Sequence, residues 1–126
     1  MVALKDRLVI VRPSNFSIDR ISSPDGSKAI VSEELLTGQE IYVKQEIIAQ
    51  GAVGKWHYHP FLTVIIMQKG TVRVGHGQNK ELEDEATAGS VILIPPGMPH
   101  RPINRGTEHV VCFIIRPTAF DKICEV

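Results

Sequence analysis

Two histidines stand one residue apart in the stretch GKWHYHPFLT, residues 54–63. In an extended chain alternate side chains share a face, and their Cα atoms are about 6–7 Å apart. Two imidazoles placed this way, His57 and His59, can close on one ion at about 2.1 Å. Pro60 follows at once and lacks the N–H that a ladder needs, so the strand is expected to end or turn there. That turn brings Thr63 back beside the histidines on the next strand. A third imidazole, His100, stands in GSVILIPPGMPHRPIN, residues 89–104. There Pro95-Pro96-Gly97 is expected to end one strand and His100 to begin the next. Ligands drawn from separate strands converge only if the sheet closes on itself. The chemistry on offer is metal binding by neutral nitrogen donors.

The surrounding elements read as strands. IYVKQEIIAQ, residues 41–50, places Ile41, Val43, Ile47 and Ala49 on one face. LTVIIMQKG is apolar on both faces, as in a strand buried between two layers. TVRV (71–74), SVILI (90–94) and HVVCFIIRP (109–117) are rich in β-branched residues. Glycine and proline breakers fall between these runs at short intervals, the pattern of a sandwich or barrel. SEELL (32–36) fits one helical turn or a strand end, ELEDEA (81–86) a solvated hairpin or loop, and PTAFDKICEV a short helix starting near Pro117.

The bulk properties narrow the function. The chain has 126 residues, enough for one domain with a real core. Formal net charge is zero, so bulk electrostatics do not point to nucleic acid or an anionic membrane. The apolar runs are too short to cross a bilayer, and the N-terminal one is interrupted by Lys5, Asp6 and Arg7. A cytoplasmic location is expected. Cys112 and Cys124 lack the spacing of a CxxC pair, and Cys112 suits a core strand position.

The two histidine segments resemble the motifs of the cupin family. The first family motif, G-x5-H-x-H-x3-E-x6-G, is met by Gly51, His57, His59 and Gly70, with Thr63 where the glutamate would stand. The second, G-x5-P-x-G-x2-H-x3-N, is met in full by Gly89, Pro95, Gly97, His100 and Asn104. The resemblance spans residues 51–104. It implies an all-β fold, a double-stranded β-helix (jelly-roll) barrel over residues 1–126 as one cupin domain, with motif 1 at 51–70 and motif 2 at 89–104. It further implies one divalent metal ion per subunit, held near one mouth by His57, His59 and His100. A homodimer joined through sheets is implied as well, often by the N-terminal strand, a part that RLVIV fits. Asn104 in that motif mainly secures a turn.

No Asp or Glu lies between His57 and Lys80, and residue 64 is Val64. Three neutral imidazoles leave a dication uncompensated in a low-dielectric barrel, so its open positions favour an anionic donor. Three-histidine cupins with this ligand type include thiol dioxygenases and the dioxygenase that cleaves β-diketones. Thr63 is either a holder of water or substrate oxygen, or a plain β-former. Gln45, on the face of Val43 and Ile47, is expected to be buried and to reach the site as a donor or weak ligand. His109 opens the last strong strand and is a candidate for acid–base work or a fourth imidazole. His76, between glycines, reads as a loop residue. Ile65 and Met67 share the face of Thr63 and are expected to line the barrel interior. Arg73 is a candidate for binding an anionic substrate or else a surface residue, and Tyr58 lies on the face opposite the ligands.

The leading expectation is therefore a metal-dependent enzyme acting on a small chelating anionic substrate. A non-haem Fe(II) dioxygenase comes first; Zn, Ni or Mn would suit a redox-neutral isomerase, cyclase or lyase. A non-catalytic small-ligand-binding cupin is the other class. The partners expected are a small-molecule substrate and a second copy of the chain, with no nucleic acid and no membrane.

Overall fold

In a computed structural model of the chain, residues 8, 10, 12, 30–38, 40–118 and 122–126 are described. They form ten strands: β1 (Ile30–Leu36), β2 (Tyr42–Ile48), β3 (His57–Tyr58), β4 (Thr63–Lys69), β5 (Thr71–His76), β6 (Leu82–Thr87), β7 (Val91–Ile94), β8 (His100–Ile103), β9 (Val110–Arg116) and β10 (Cys124–Glu125). No helix occurs among the described residues, so none there is long and apolar enough to cross a membrane. The strands make two antiparallel five-stranded sheets. One has the order β1-β2-β9-β4-β7 and the other β10-β3-β8-β5-β6. The fold is an all-β, double-stranded β-helix.

The strand order explains how distant histidines meet. Each sheet draws neighbours from both halves of the sequence: β9 lies between β2 and β4, and β8 lies between β3 and β5. His57 of β3 thereby pairs in register with His100 of β8. The turn that delivers His100 follows from its residues. Pro95-Pro96-Gly97-Met98 closes with Met98 N–H donating to Pro95 O, and Gly97 has φ +76°. That is a type II turn, with proline at the second position and glycine where φ must be positive.

The core cluster lies between the sheets and includes Ile48, Met67, Val72, Val110, Cys112 and Ile114. Burying a side chain of valine or methionine size stabilises the fold by about 1.5–3 kcal/mol. Asn104 is the polar tie at its rim. Its Nδ2 donates to Ile48 O and Glu108 O, and its Oδ1 accepts from Gly106 N. One buried amide thus holds the end of β2 to the loop that leads into β9.

Two local expectations, for the C-terminal stretch and for β4, need correction. The C-terminal stretch is not a helix where it is described: Cys124–Glu125 pairs antiparallel with Tyr58 and His57. A helix there would leave the outer edge of β3 without ladder partners, and a short strand supplies them. SEELL lies within β1. β4 is not covered on both faces, since Ile66 points outward and is 36% exposed. ELEDEA forms most of β6, the exposed partner of β5 in a hairpin. The segment RLVIV, expected as an interface strand, lies largely outside the described residues.

Candidate metal centre

His57, His59 and His100 come together, with one ring nitrogen from each lying within 4.8 Å of the others. Three nitrogens at about 2.1 Å from one ion would be separated by about 3.0–3.5 Å, so small ring movements close the set. The backbone sets which nitrogen faces inward. His57 Nδ1 lies 2.7 Å from Lys55 O, His59 Nδ1 2.6 Å from Lys122 O, and His100 Nδ1 2.9 Å from Met98 O. A carbonyl only accepts, so each Nδ1 carries the proton and each Nε2 presents a lone pair. Fixing the outer nitrogen in this way is what orients imidazole for a metal. Three converging lone pairs of neutral rings fit a divalent ion. Among the described residues no carboxylate joins the cluster.

Two of the rings, His59 and His100, are held neutral. Burial pushes the His59 pKa down to about 4, and the positive Arg116 adds to the effect. Burial likewise lowers His100 to about 4, against the opposing bond to Met98 O. Phe61 stacks on His59 with ring centroids 5.9 Å apart.

The floor of the site is a residue that the motifs do not contain. Arg116, the last residue of β9, is buried, and its Nη2 donates to His59 Nε2 at 3.0 Å. Its Nε donates to Thr63 Oγ1 at 3.1 Å. Thr63 does stand beside the histidines, and its hydroxyl orients a cation there. The sequence carried a weak signal for Arg116: it shares parity with Cys112 and Ile114, which face inward, but Pro117 makes it read as a strand boundary.

A cavity of about 270 Å³ opens from this cluster into the barrel. Ile65 and Met67 line it, as do Ile92, Ile94, Val72 and Val74. Beside Arg116, four charged side chains also line it: the exposed Lys55 and Glu125, and Lys44 and Glu46 of β2, with Lys44 Nζ 3.8 Å from Glu46 Oε1. This reverses the face assigned to β2. Lys44, Glu46 and Ile48 point inward, whereas Val43, Gln45 and Ile47 sit on the outer side. Cys112, in register with Glu46, lines the cavity as a protonated thiol, since burial and Glu46 push its pKa up to about 12.

The remaining candidates lie elsewhere. Gln45 Nε2 donates to Gln68 Oε1 at 3.3 Å on the exterior, so it does not reach the site. The reason is the parity of β2. Arg73 is bound by Glu83 at 2.7 Å and Glu85 at 3.5 Å on the outer face of the β5–β6 hairpin, and is not a pocket residue. His109 is exposed and accepts from Gln50 N through Nδ1. It precedes β9 at the end opposite Arg116, so the strand passes the site but its histidine does not. His76 is not in a loop. It ends β5, pairs with His100 in register, and holds Asp84 at 2.7 Å.

A family model described as Cupin domain matches residues 44–116. A conserved protein with a double-stranded β-helix domain from Klebsiella pneumoniae superposes with a TM-score of 0.71 at 18% identity, covering 94% of this chain and 98% of that one. The polyketide cyclase RemF from Streptomyces resistomycificus gives 0.67 at 16% identity, covering 77% of this chain and 70% of its own. An oxalate oxidase gives 0.69 at 21% identity, with 83% of this chain covered and 57% of that one. No curated protein sequence matches the chain. Structural likeness at these identities speaks for the fold alone. With the family match covering more than half of its length, and both histidine segments inside that match, the chain belongs to the cupin family.

Proposed function

We propose that this protein is a metal-dependent enzyme acting on a small chelating anion, and that its reaction is Fe(II)-dependent dioxygenation. The observation that carries this reading is a set of three inward Nε2 lone pairs with no carboxylate among them and a guanidinium alongside. A divalent ion bound there supplies Lewis acidity and open coordination positions, and as Fe(II) it supplies O₂ chemistry.

The chain's own residues do the rest. Arg116 attracts and orients the anionic group of the substrate, and Thr63 holds the guanidinium by accepting its Nε–H. Ile65, Ile92 and Ile94 make a dry wall that excludes water and strengthens those electrostatic contacts. The cavity is of a size for a small molecule, near the lower end of ligand pockets.

A second reading has one specific observation in its favour. Glu46 lines the same cavity, so a carboxylate is available to move a proton in a redox-neutral isomerisation, cyclisation or elimination. The neighbouring folds include both an oxidase and a cyclase by name, so fold likeness does not choose between the two.

Metal analysis of freshly purified protein comes first. Oxygen-electrode assays on Fe(II)-loaded protein with β-diketones, thiols and flavonols follow. O₂ uptake that requires both Fe(II) and one of these substrates, and that disappears in His57→Ala, is the expected result. Turnover without O₂ uptake favours the redox-neutral reading. Tight metal and ligand binding with no turnover of any panel member would make this a binding protein.

A further inference from the structure

Residues 122–126 touch the candidate metal centre in two ways. The Lys122 carbonyl accepts the His59 Nδ1–H at 2.6 Å, and β10 pairs with the strand of His57, with Glu125 opposite His57 and Cys124 opposite Tyr58. Val126 N–H donates to Trp56 O at 3.3 Å. Hydrogen-bonded positions alternate along an antiparallel ladder, so Cys124, two residues back, is the next one. The same alternation puts Ile123 and Glu125 on the side of His57, and both line the cavity. The segment is thus one wall of the cavity and the holder of one imidazole.

That wall is weakly held. Ile123 and Val126 are 55% and 57% exposed, so docking buries little apolar surface. β10 is two residues long and sits at the edge of its sheet, with β3 as its neighbour. Lys55 Nζ lies 3.8 Å from Glu125 Oε1, but both side chains are largely in water, where such a pair stabilises little. A segment with few buried contacts and solvent-exposed hydrogen bonds opens at a lower free energy than the core strands. Opening here withdraws Ile123 and Glu125 from the cavity wall, which gives a small molecule a way in. It also takes the Lys122 carbonyl away from His59. Lys55 in turn holds His57 Nδ1 through its own carbonyl, so the ion pair ties together the two segments that orient neighbouring rings.

We infer that residues 122–126 are a strap over the cavity whose closure positions His59, so that the closed strap and an ion held by the histidines stabilise each other. Lys122 is a positioning residue that acts through its main chain. The inference rests on the proposed function for the ion. The hydrogen bond that orients a metal-bound histidine is typically worth about 10–100-fold in metal affinity. Linkage is reciprocal, so a bound ion suppresses strap opening by the same factor. Cys124 and Val126 alternate with Glu125 and point away from the histidines, so changes at these two positions reach the ion only through the strap.

The test uses NMR on the full chain, metal-free and Zn(II)-loaded. Without metal, the Cys124 and Val126 amides should exchange with solvent faster than amides of the β2–β9 ladder, and saturating Zn(II) should slow them about 10–100-fold. Cys124→Pro cannot donate to the ladder and should keep the strap from docking. Its Zn(II) affinity should fall about 10–100-fold. The metal-free variant should also lose the His59 Nδ1–H resonance, whose proton is sheltered from water while Lys122 O accepts it. Val126→Pro removes the bond to Trp56 O and should weaken Zn(II) several-fold, which keeps the inference open to refutation if Cys124→Pro does not fold. Strap amides that exchange no faster than the β2–β9 ladder, exchange that Zn(II) leaves unchanged, or wild-type Zn(II) affinity in either folded variant would each overturn the inference. A protein that takes up no Zn(II) refutes the metal reading. The imidazole resonance then decides this one, its loss in Cys124→Pro supporting the strap and its persistence overturning it.

Discussion

Arg116 and a metal ion compete for the same lone pair. The Nη2–His59 Nε2 bond of 3.0 Å lies where coordination must form, because Nδ1 of that ring is already committed to Lys122 O. An ion at about 2.1 Å from Nε2 would nearly touch Nη2, so the guanidinium must withdraw before metal binds. Breaking this bond from a charged donor costs about 1.5–3 kcal/mol. A guanidinium that retreats to about 6 Å still opposes a dication by about 5 kcal/mol at an effective dielectric of about 20. That second figure is an upper bound, since any entering anion relieves it. Arg116→Met keeps an unbranched side chain and removes the charge, together with the guanidinium that lies 5.9 Å over the Tyr42 ring. Its affinity for Zn(II) in the absence of organic anions should rise between about tenfold and about a thousandfold, at 1.4 kcal/mol per tenfold. Competition against a chromophoric chelator measures this directly, with near-UV circular dichroism to confirm the fold. In the same variant the Zn(II)-loaded protein should bind simple carboxylates more weakly. A folded Arg116→Met protein that holds Zn(II) no more tightly than wild type would show that the guanidinium does not guard His59.

Two further outcomes follow from groups outside the cluster. Because Cys112 has a pKa raised to about 12, its thiol should resist alkylation at pH 8, whereas the half-buried Cys124 reacts; mass spectrometry should find one adduct on native protein and two after denaturation. Asn104→Ala leaves Ile48 O unmet in a buried setting and Glu108 O and Gly106 N in part-buried ones, so urea denaturation should show a loss of about 2–4 kcal/mol, from about 1–3 kcal/mol for the buried group and about 0.5 kcal/mol for each of the others.

The parts legible in the sequence are those set by local geometry. An HxH pair on a strand shares a face whatever the rest of the fold does, and Pro60 forces the turn that returns Thr63 to that face. His100 follows a proline–glycine turn whose backbone those residues dictate. Strand β2 is the opposite case. Alternation divides it into two faces but does not say which is inside. The more apolar face was expected to be the buried one, and here Val43 and Ile47 instead lie beside Ile115 and Val111 on the outer side of the sheet. The inner face carries Lys44 and Glu46 because it lines an open cavity rather than a sealed core. The strand at Cys124–Glu125 was equally hidden, since two residues acquire that form only when an edge is waiting for them.

Thr63 and Arg116 are best understood together, and together they answer why the first motif lacks its carboxylate. A glutamate at 63 would lie within reach of the Arg116 guanidinium, and such a pair closes through two charge-assisted hydrogen bonds. The carboxylate would then be unavailable to an ion and the guanidinium unavailable to an anion, so the site would gain neither a ligand nor a binding group. A threonine hydroxyl orients the same guanidinium through one bond and leaves its charge uncancelled. The local positive potential is thus kept by the combination of both residues, and the negative charge that completes the site has to arrive with what binds there.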